Sequence, residues 1–308
     1  TYHLYNGDFY EDITISPGMN HQYLLKILPE FMEKEEFPEW EWKVSMVRSF
    51  LEFAKNDGHF SFVYSSLSSG FQKNLRHLIH VPGLRGNPER TYNTTAVGSE
   101  FPGTFENYVA SIINHWQNTE NYRIIQLETY LKKVGLTNKI DAQKINDVQI
   151  ELRVGRLPHS TEAEDMVSLA DVGFGVSQTL PVLVALLVAE PGQLVYLEQP
   201  EIHLHPRAQA SLAEILADAA NRGVRVVVET HSELLLLAIQ SLVAEGKILP
   251  ELVKLNWFIR GEDGITKVSS ADLDEAGAFG DWPEDFGDVS LKLENRYLNA
   301  AEAHLWKR

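Results

Sequence analysis

The fold is decided by the stretch LVYLEQPEIHLHP, Leu194 to Pro206, together with VVVETHSE, Val226 to Glu233. Each stretch begins as a short apolar run that fits a buried strand, and each run ends in a carboxylate, Glu198 or Glu229. Three further patterns accompany them: a helix over 207–222, a Leu-rich helix over 232–245 and a third strand over 255–259. Strands and helices that alternate with short joints are typical of a parallel sheet covered by helices. The sequence therefore predicts the α/β class.

Polar side chains follow the two strands at the point where each strand ends. Glu198 and Gln199 come at the end of the first strand, and His231 follows the second. In a parallel sheet, ligands bind at the carboxyl ends of the strands. A carboxylate at that point can hold Mg²⁺, usually through water, while the next residue orients a nucleophile. A histidine one strand away can hydrogen-bond a terminal phosphate.

A glycine-rich segment, DVGFGVSQTLP from Asp171 to Pro181, precedes the first strand. It puts four candidate binding residues at the mouth of a predicted helix: Gly173, Gly175, Ser177 and Gln178. Free backbone N–H groups and the helix dipole favour an anion at such a position. We also expect Ser177 to cap that helix.

Taken in order, GFGVSQ, the strand ending in EQPEIHLHP, and VVVETHS resemble the second half of an ABC-type ATPase. The resemblance is closest to the soluble branch that includes the OLD (overcoming-lysogenization-defect) proteins and SMC-like genome-maintenance ATPases. Within that branch it is closest to the form with a C-terminal acidic domain of unknown function. No single motif is specific, whereas the three in this order and spacing are. The segment LRGNPER, Leu84 to Arg90, also looks like a recurring element of that group.

The resemblance implies a P-loop NTPase fold and a role for each motif. GFGVSQ corresponds to the signature loop, Glu198 to the Walker B acid, PEIHLHP to the dimer-facing D-loop, and His231 to the switch histidine. The implied cofactors are ATP and Mg²⁺. The implied partner is a second copy of the chain, bound through the nucleotide so that each signature loop closes over ATP held by the other subunit.

Two departures from the family pattern matter for activity. The chain has no G-x-x-x-x-G-K-[ST] motif, so it lacks the Walker A loop that grips the phosphates, and we expect that loop upstream of Thr1. Gln199 stands where most ABC ATPases have a catalytic Glu. Glutamine can orient a water molecule but cannot accept its proton. Slow turnover, use of Glu201 as a substitute base, and an engineered substitution that traps the ATP state all remain open.

The upstream half carries helical and strand patterns of its own. They predict a strand over 78–81, a helix whose apolar face runs from Phe105 to Trp116, a second helix stopped by Gly135, and a half-buried strand over 148–154. We divide the chain into residues 1–74, a partial N-terminal lobe with an acidic and aromatic segment; 75–160, ATPase strands with a helical insertion; 161–260, the ATPase lobe with the signature, Walker B, D-loop and switch histidine; and 261–308, an acidic C-terminal appendage.

Composition limits the class of protein and its partners. The 308 residues hold 27 Lys and Arg against 43 Asp and Glu, a net charge of −16 that argues against a DNA-coating surface. Contact with DNA would need a local basic patch. The absence of cysteine excludes a disulfide framework and a thiolate zinc site. The longest apolar run, Leu180 to Ala189, is about half of the ~20 residues that a membrane span requires. We expect a cytoplasmic protein without a membrane segment.

Three functions are compatible with these features. The leading hypothesis is an ABC-like ATPase whose ATP binding drives dimerisation and controls a partner or effector protein, in genome maintenance or anti-phage defence. The second is a nucleotide sensor or scaffold that does not hydrolyse ATP, which Gln199 favours. The third is a metal-dependent hydrolase that uses Glu198 with three histidines, His203, His205 and His231.

Overall fold

The computed structural model describes residues 2–6, 9–13, 41–47, 50–56, 61–63, 75–156, 165–280 and 285–305, with side chains in 75–156, 165–280 and 292–302. The chain divides into two units, residues 1–75 and 76–308. The described residues of the first unit form five strands: β1 (Tyr2–Asn6), β2 (Phe9–Ile13), β3 (Glu41–Val47), β4 (Phe50–Asn56) and β5 (Ser61–Val63). Strands β1 and β2 pair antiparallel, and β3, β4 and β5 form an antiparallel sheet. The predicted acidic and aromatic segment, residues 30–42, lies outside the described residues apart from the start of β3.

The second unit alternates strands and helices and contains the sequence motifs. Its elements are β6 (Ile79–Val81), β7 (Tyr92–Asn93), α1 (Glu106–Asn118), α2 (Arg123–Lys133), β8 (Ile140–Asn146), β9 (Gln149–Gly155), β10 (Met166–Ser168), α3 (Phe174–Val188), β11 (Leu194–Glu198), α4 (Pro206–Asn221), β12 (Arg225–Glu229), α5 (Glu233–Ala244), β13 (Lys254–Arg260), β14 (Thr266–Asp272) and α6 (Asp285–Leu305). The predicted α/β class is confirmed. Among the described residues, no helix has the length and apolar character to span a membrane.

A three-stranded parallel sheet carries the motif-bearing strands in the order β12-β11-β6. Within it, Tyr196 lies opposite His80, and Glu198 lies opposite Glu229. The prediction that residues 255–259 form the third strand of this sheet is wrong, because β13 pairs antiparallel with β14. The third strand is β6, which lies more than a hundred residues before β11. The local sequence patterns predicted the individual strands correctly, but they did not predict that β6 pairs with β11.

Only one face of the parallel sheet is packed against helices within the described part of the chain. Ile79, Val81, Val195 and Leu197 point into the core, and each is at most 1% exposed. On the other face, the His80 side chain is 41% exposed and Val227 is 50% exposed. The predicted covering by helices is therefore correct for one face. The other face carries His80 and Tyr196, on the same side of the sheet as Glu198.

The core is built around α3 and the helical pair α1 and α2. The apolar run from Leu180 to Ala189 lies in α3 and the residue after it, and nearly all of it is buried. The predicted stripe of α1 is likewise buried: Tyr108, Val109, Ile112, Ile113 and Trp116. The predicted strand at 148–154 is β9, which pairs with β7, β8 and β10 in an antiparallel sheet; β8 was not predicted.

The segment after β14 packs closely on α5. Gly277 has φ +75°, and a Cβ built there would overlap the backbone oxygen of Gln240. The side-chain Nε2 of Gln240 donates to the carbonyl oxygen of Gly277 at 2.8 Å. By contrast Gly246, which ends α5 with φ +69°, has no atom within 4 Å of such a Cβ. Glycine is therefore required at position 277 for two reasons: the backbone is left-handed there, and the Gln240 backbone lies too close for a side chain.

Candidate functional site

Glu198 ends β11 and is held by β6 and by the segment that follows it. Its Oε2 accepts a hydrogen bond from the backbone N–H of Gly83 at 2.9 Å, and its Oε1 lies 2.9 Å from Nε2 of His80. The His80 ring stacks on Tyr196, with centroids 5.1 Å apart. The Gly83 N–H, followed by His80, lowers the pKa of Glu198 below its ordinary value. The carboxylate is therefore anionic at neutral pH, as a magnesium-binding group must be.

Gln199 has an unusual backbone that is held from two sides. Its φ is +42°, a left-handed conformation that costs a non-glycine residue about 1–2 kcal/mol. Its N–H donates to the carbonyl oxygen of Glu229 at 2.7 Å, and its own carbonyl oxygen accepts from Nη2 of Arg85 at 3.1 Å. These bonds fix the direction of the backbone at Gln199, the residue that the sequence analysis expects to orient a nucleophile.

Glu201 connects the two strand ends. It is 8% exposed, and its Oε1 accepts from the Thr230 hydroxyl at 2.7 Å and from the backbone N–H of His231 at 3.0 Å. The next residue, Ser232, caps α5 by accepting from Leu235 N–H at 3.0 Å. The His231 side chain itself is exposed. Glu201 thus sets the position of the backbone that presents His231.

The glycine-rich segment begins α3 as predicted, but its cap differs. The N-cap is Gly173, without a side-chain hydrogen bond, and Ser177 instead donates its hydroxyl to the carbonyl oxygen of Phe174 at 3.0 Å. The capping role of Ser177 is therefore wrong, because the helix begins four residues earlier than that role requires. Gly175 approaches the segment after β11: a Cβ there would lie 3.5 Å from the carbonyl oxygen of His203.

The loop of residues 82–90 joins these groups, and sequence reasoning gave it only a weak role. Besides the Gly83 and Arg85 contacts, the carbonyl oxygen of Gly86 accepts from Nε2 of Gln178 at 2.9 Å. Arg90 forms a two-bond ion pair with Asp171, at 3.1 and 2.7 Å. Burial lowers the pKa of Arg85, against the opposing effect of nearby carboxylates, with Glu106 the largest. Sequence reasoning missed His80 and Gly83; the only available signal was the predicted strand at 78–81 running into a glycine turn.

The structure gathers the predicted residues into two groups. Glu198, Gln199, Glu201 and His231 lie together at the carboxyl edge of the parallel sheet. Gly173, Gly175, Ser177 and Gln178 lie at the start of α3. In the described ranges no direct hydrogen bond joins the groups, and the 82–90 loop links them.

The side chains near Glu198 suit a magnesium ion better than they suit a metal bound by several histidines. An exposed edge with one ionised carboxylate, Glu198, suits Mg²⁺, which typically takes one or two carboxylates and completes its coordination with phosphates and water. No group of three or more metal-ligating side chains gathers in the part of the chain that the structure describes. His205 instead caps α4, its Nδ1 accepting from Arg207 N–H at 3.4 Å, and the His203 ring lies 6.0 Å from that of Phe174. The geometry gives the hydrolase hypothesis no support.

Known proteins resemble this chain over the same region. Residues 123–238 match the family described as "AAA domain, putative AbiEii toxin, Type IV TA system". The Old nuclease of Escherichia phage P2 is 25% identical over 199 residues, which cover 52% of this chain and 33% of that protein. The multidrug resistance protein CDR2 of Candida albicans is 25% identical over 150 residues, covering 48% of this chain and 10% of that protein.

Among solved structures, one described as "Structural biochemistry of ATP-driven dimerization and DNA stimulated activation of SMC ATPases" matches with 13% identity and a TM-score of 0.35. It covers 51% of this chain and 88% of that chain. The chain spans a third or less of the curated relatives it matches. With the motifs, the matches to the AAA domain and the Old nuclease confirm the resemblance to the OLD and SMC-like branch of ABC-type ATPases.

Proposed function

We propose that this chain, which resembles the OLD and SMC-like branch of ABC-type ATPases, binds ATP and Mg²⁺ between two copies of itself and thereby controls an effector protein. The observation that carries the proposal is the constellation around Glu198. An ionised carboxylate at the carboxyl end of a parallel strand, fixed by Gly83 and His80, stands next to a residue that can orient water. When bound, Mg²⁺ would supply charge neutralisation for the phosphates.

The chain's own residues have distinct roles in this proposal. Glu198 holds the metal, Gln199 orients the attacking water, and His231 hydrogen-bonds the terminal phosphate. Glu201 acts as a positioning residue, because its Oε1 is taken by Thr230 and His231. In the second copy, Gly173, Gly175, Ser177 and Gln178 close over the nucleotide.

Slow hydrolysis follows from Gln199, because its amide cannot take a proton from water. ATP would then act as a timer for the dimer. We further propose that the effector works in genome maintenance or anti-phage defence, for which the named relative, the Old nuclease of a phage, is the support.

Dimerisation tests the proposal. We expect the full-length protein to shift from monomer to dimer with ATP and Mg²⁺ in light scattering after size exclusion. Glu198→Gln removes the metal-binding charge. The ATP concentration that this variant needs for dimerisation should be at least tenfold higher than that of the wild type. Glu190→Gln, an exposed carboxylate before β11, is the matched control and should leave it unchanged. A full-length protein that neither binds ATP nor changes its oligomeric state with it would overturn the proposal.

Gln199 also favours a second candidate, a sensor that binds ATP without hydrolysing it. The two candidates are distinguished by measuring the rate of ATP hydrolysis of the wild type and of the Gln199→Glu variant. Measurable wild-type hydrolysis would exclude the sensor. Hydrolysis that appears only in Gln199→Glu would support it, because the variant restores a group that can accept a proton.

A further inference from the structure

A cavity of about 410 Å³ lies between the last turn of α2 and the first turn of α4. This volume lies in the range of about 300–1,000 Å³ that is usual for small-molecule sites. Neither Glu198 and the residues around it nor the glycine-rich start of α3 lines the cavity. The cavity is therefore separate from the nucleotide site proposed above.

The charge of this cavity is opposite to that of the chain. Its lining includes Lys132, Lys133, His205 and Arg207 and no aspartate or glutamate, although the chain holds 43 Asp and Glu against 27 Lys and Arg. A concave surface lined by one sign of charge concentrates the electric field and attracts ligands of the opposite sign. The cavity therefore favours an anionic ligand.

Two of the basic side chains are available to such a ligand. Lys133 forms an ion pair with Glu214, whereas no carboxylate among the described residues lies within ion-pair distance of Lys132 or Arg207. Lys132 is not needed to satisfy the end of α2, because the backbone N–H groups of residues 134–136 already bond carbonyl oxygens of its last turn, each at 3.0 Å. The side chains of Lys132 and Arg207 are both exposed, so their charges can meet an anion in the cavity.

His205 adds a further donor at the start of α4. Its Nδ1 accepts from the backbone N–H of Arg207 at 3.4 Å. A neutral imidazole that accepts at Nδ1 carries its proton on Nε2, and that N–H has no acceptor among the described residues. The cavity thus offers three donor groups, those of Lys132, His205 and Arg207, and two of them are charged.

A phosphomonoester matches this set of donors. It presents three terminal oxygen atoms and carries a charge of about −1.5 to −2 at pH 7, whereas a carboxylate offers only two oxygen atoms and one charge. Arginine also binds phosphate oxygen atoms in pairs. We propose that this cavity binds the phosphate group of a small phosphomonoester through Lys132, His205 and Arg207, with the organic part of the ligand at the apolar lining formed by Val134 and Ala208.

The backbone of a nucleic acid fits the cavity less well. Each of its phosphates carries one charge, and binding of a strand needs a basic groove that follows several phosphates. Here the basic surface ends beside Lys133, because the neighbouring cavity that this residue also lines contains Glu214 and Asp218. These carboxylates disfavour an extended polyanion, so the surroundings suit a single phosphate group.

Calorimetric titration of the full-length protein with glycerol 3-phosphate, without ATP or Mg²⁺, tests the binding. We expect saturable binding of glycerol 3-phosphate and none of glycerol, which lacks the phosphate, at the same concentrations. The binding does not rest on the proposed function, so a protein that fails to dimerise with ATP can still bind this probe. Absence of saturable binding would overturn the proposal. A short DNA duplex that binds at least tenfold more tightly than the probe, and loses that affinity in Arg207→Gln, would overturn it in favour of a nucleic acid.

Two variants locate the binding in the cavity. Arg207→Gln and Lys132→Gln each remove one charge from an exposed side chain, so the fold should be preserved, and each should weaken glycerol 3-phosphate binding at least tenfold. Arg225→Gln is the matched control, because it removes the same charge at the exposed start of β12, outside the cavity. It should bind the probe as the wild type does. Unchanged affinity in Arg207→Gln, or an equal loss in all three variants, would contradict the assignment.

Discussion

Glu201 accepts a hydrogen bond from the backbone N–H of His231 at 3.0 Å, across two neighbouring strand ends. The same oxygen accepts from Thr230, and the carboxylate is almost wholly buried. Glu201 therefore connects the segment after β11 to the segment after β12 through hydrogen bonds. The position of His231 depends on a side chain that lies thirty residues earlier.

The first prediction concerns this connection. Glu201→Ala leaves two donors without their acceptor in a buried site, and we expect it to lower the free energy of unfolding by about 2–3 kcal/mol. Thr230→Val removes one of the two donors and also the acceptor of the Ser232 N–H at 3.0 Å, so it should cost about 1–2 kcal/mol. Urea denaturation of both single variants and the double variant measures the coupling. Additive losses would show that the two residues do not act together.

The second prediction concerns the start of α5. Ser232 accepts from Leu235 N–H and donates to Oε1 of Gln209 at 2.7 Å, so Ser232→Ala should cost about 1–2 kcal/mol of stability. The control is Ser241→Ala in the same helix, whose exposed hydroxyl donates to the Leu237 carbonyl oxygen and has no other described partner. Its effect should stay within about 0.5 kcal/mol. Thermal unfolding distinguishes them, and equal melting temperatures would contradict the capping role.

The third prediction concerns the contact between the C-terminal segment and α5. Gly277→Ala places a methyl group against the Gln240 backbone on a left-handed residue, and we expect a loss of about 2–4 kcal/mol. Gly246→Ala meets open space at a similar φ, so it should cost only about 1 kcal/mol. Chemical denaturation of the pair isolates the overlap from the backbone strain. Similar losses in both variants would mean that the C-terminal segment does not pack on α5.

The fourth prediction is a pH dependence at Glu198. Its pKa in the folded protein is lowered from the ordinary 4.5, so its bonds to Gly83 and His80 stabilise the fold above that pH. This stabilisation is lost as the pH falls through the lowered pKa. Wild type should therefore be more stable than Glu198→Gln at neutral pH, with the difference vanishing only below pH 4.5. Unfolding free energies of the two proteins across an acid series provide the measurement, and a difference that grows towards low pH would contradict the assigned sign.

The sequence predicted the local elements of the site well, because their signals are local. The apolar runs that end at Glu198 and Glu229 fix β11 and β12, and the stripe of α1 fixes its buried face. Pairing across long separations carries no such signal. β6 pairs with β11, and the hydrogen-bond partners of Glu198 are His80 and Gly83. No sequence pattern links either residue to Glu198. The positive φ of Gln199 was equally hidden, since glutamine gives no hint of a left-handed backbone.

The distance between Gly83 and Glu198 along the chain is 115 residues, and this separation governs when the site can first exist. At a synthesis rate of about 5–20 residues per second, β6 leaves the ribosome roughly 6–23 seconds before the strand beside which it will lie. The helical pair forms from local contacts during that interval, whereas the carboxylate site cannot. The hydrogen bonds that hold Glu198 therefore form only after most of the second unit has been made. A nascent or prematurely terminated chain that ends before β11 lacks Glu198 and every contact that positions it.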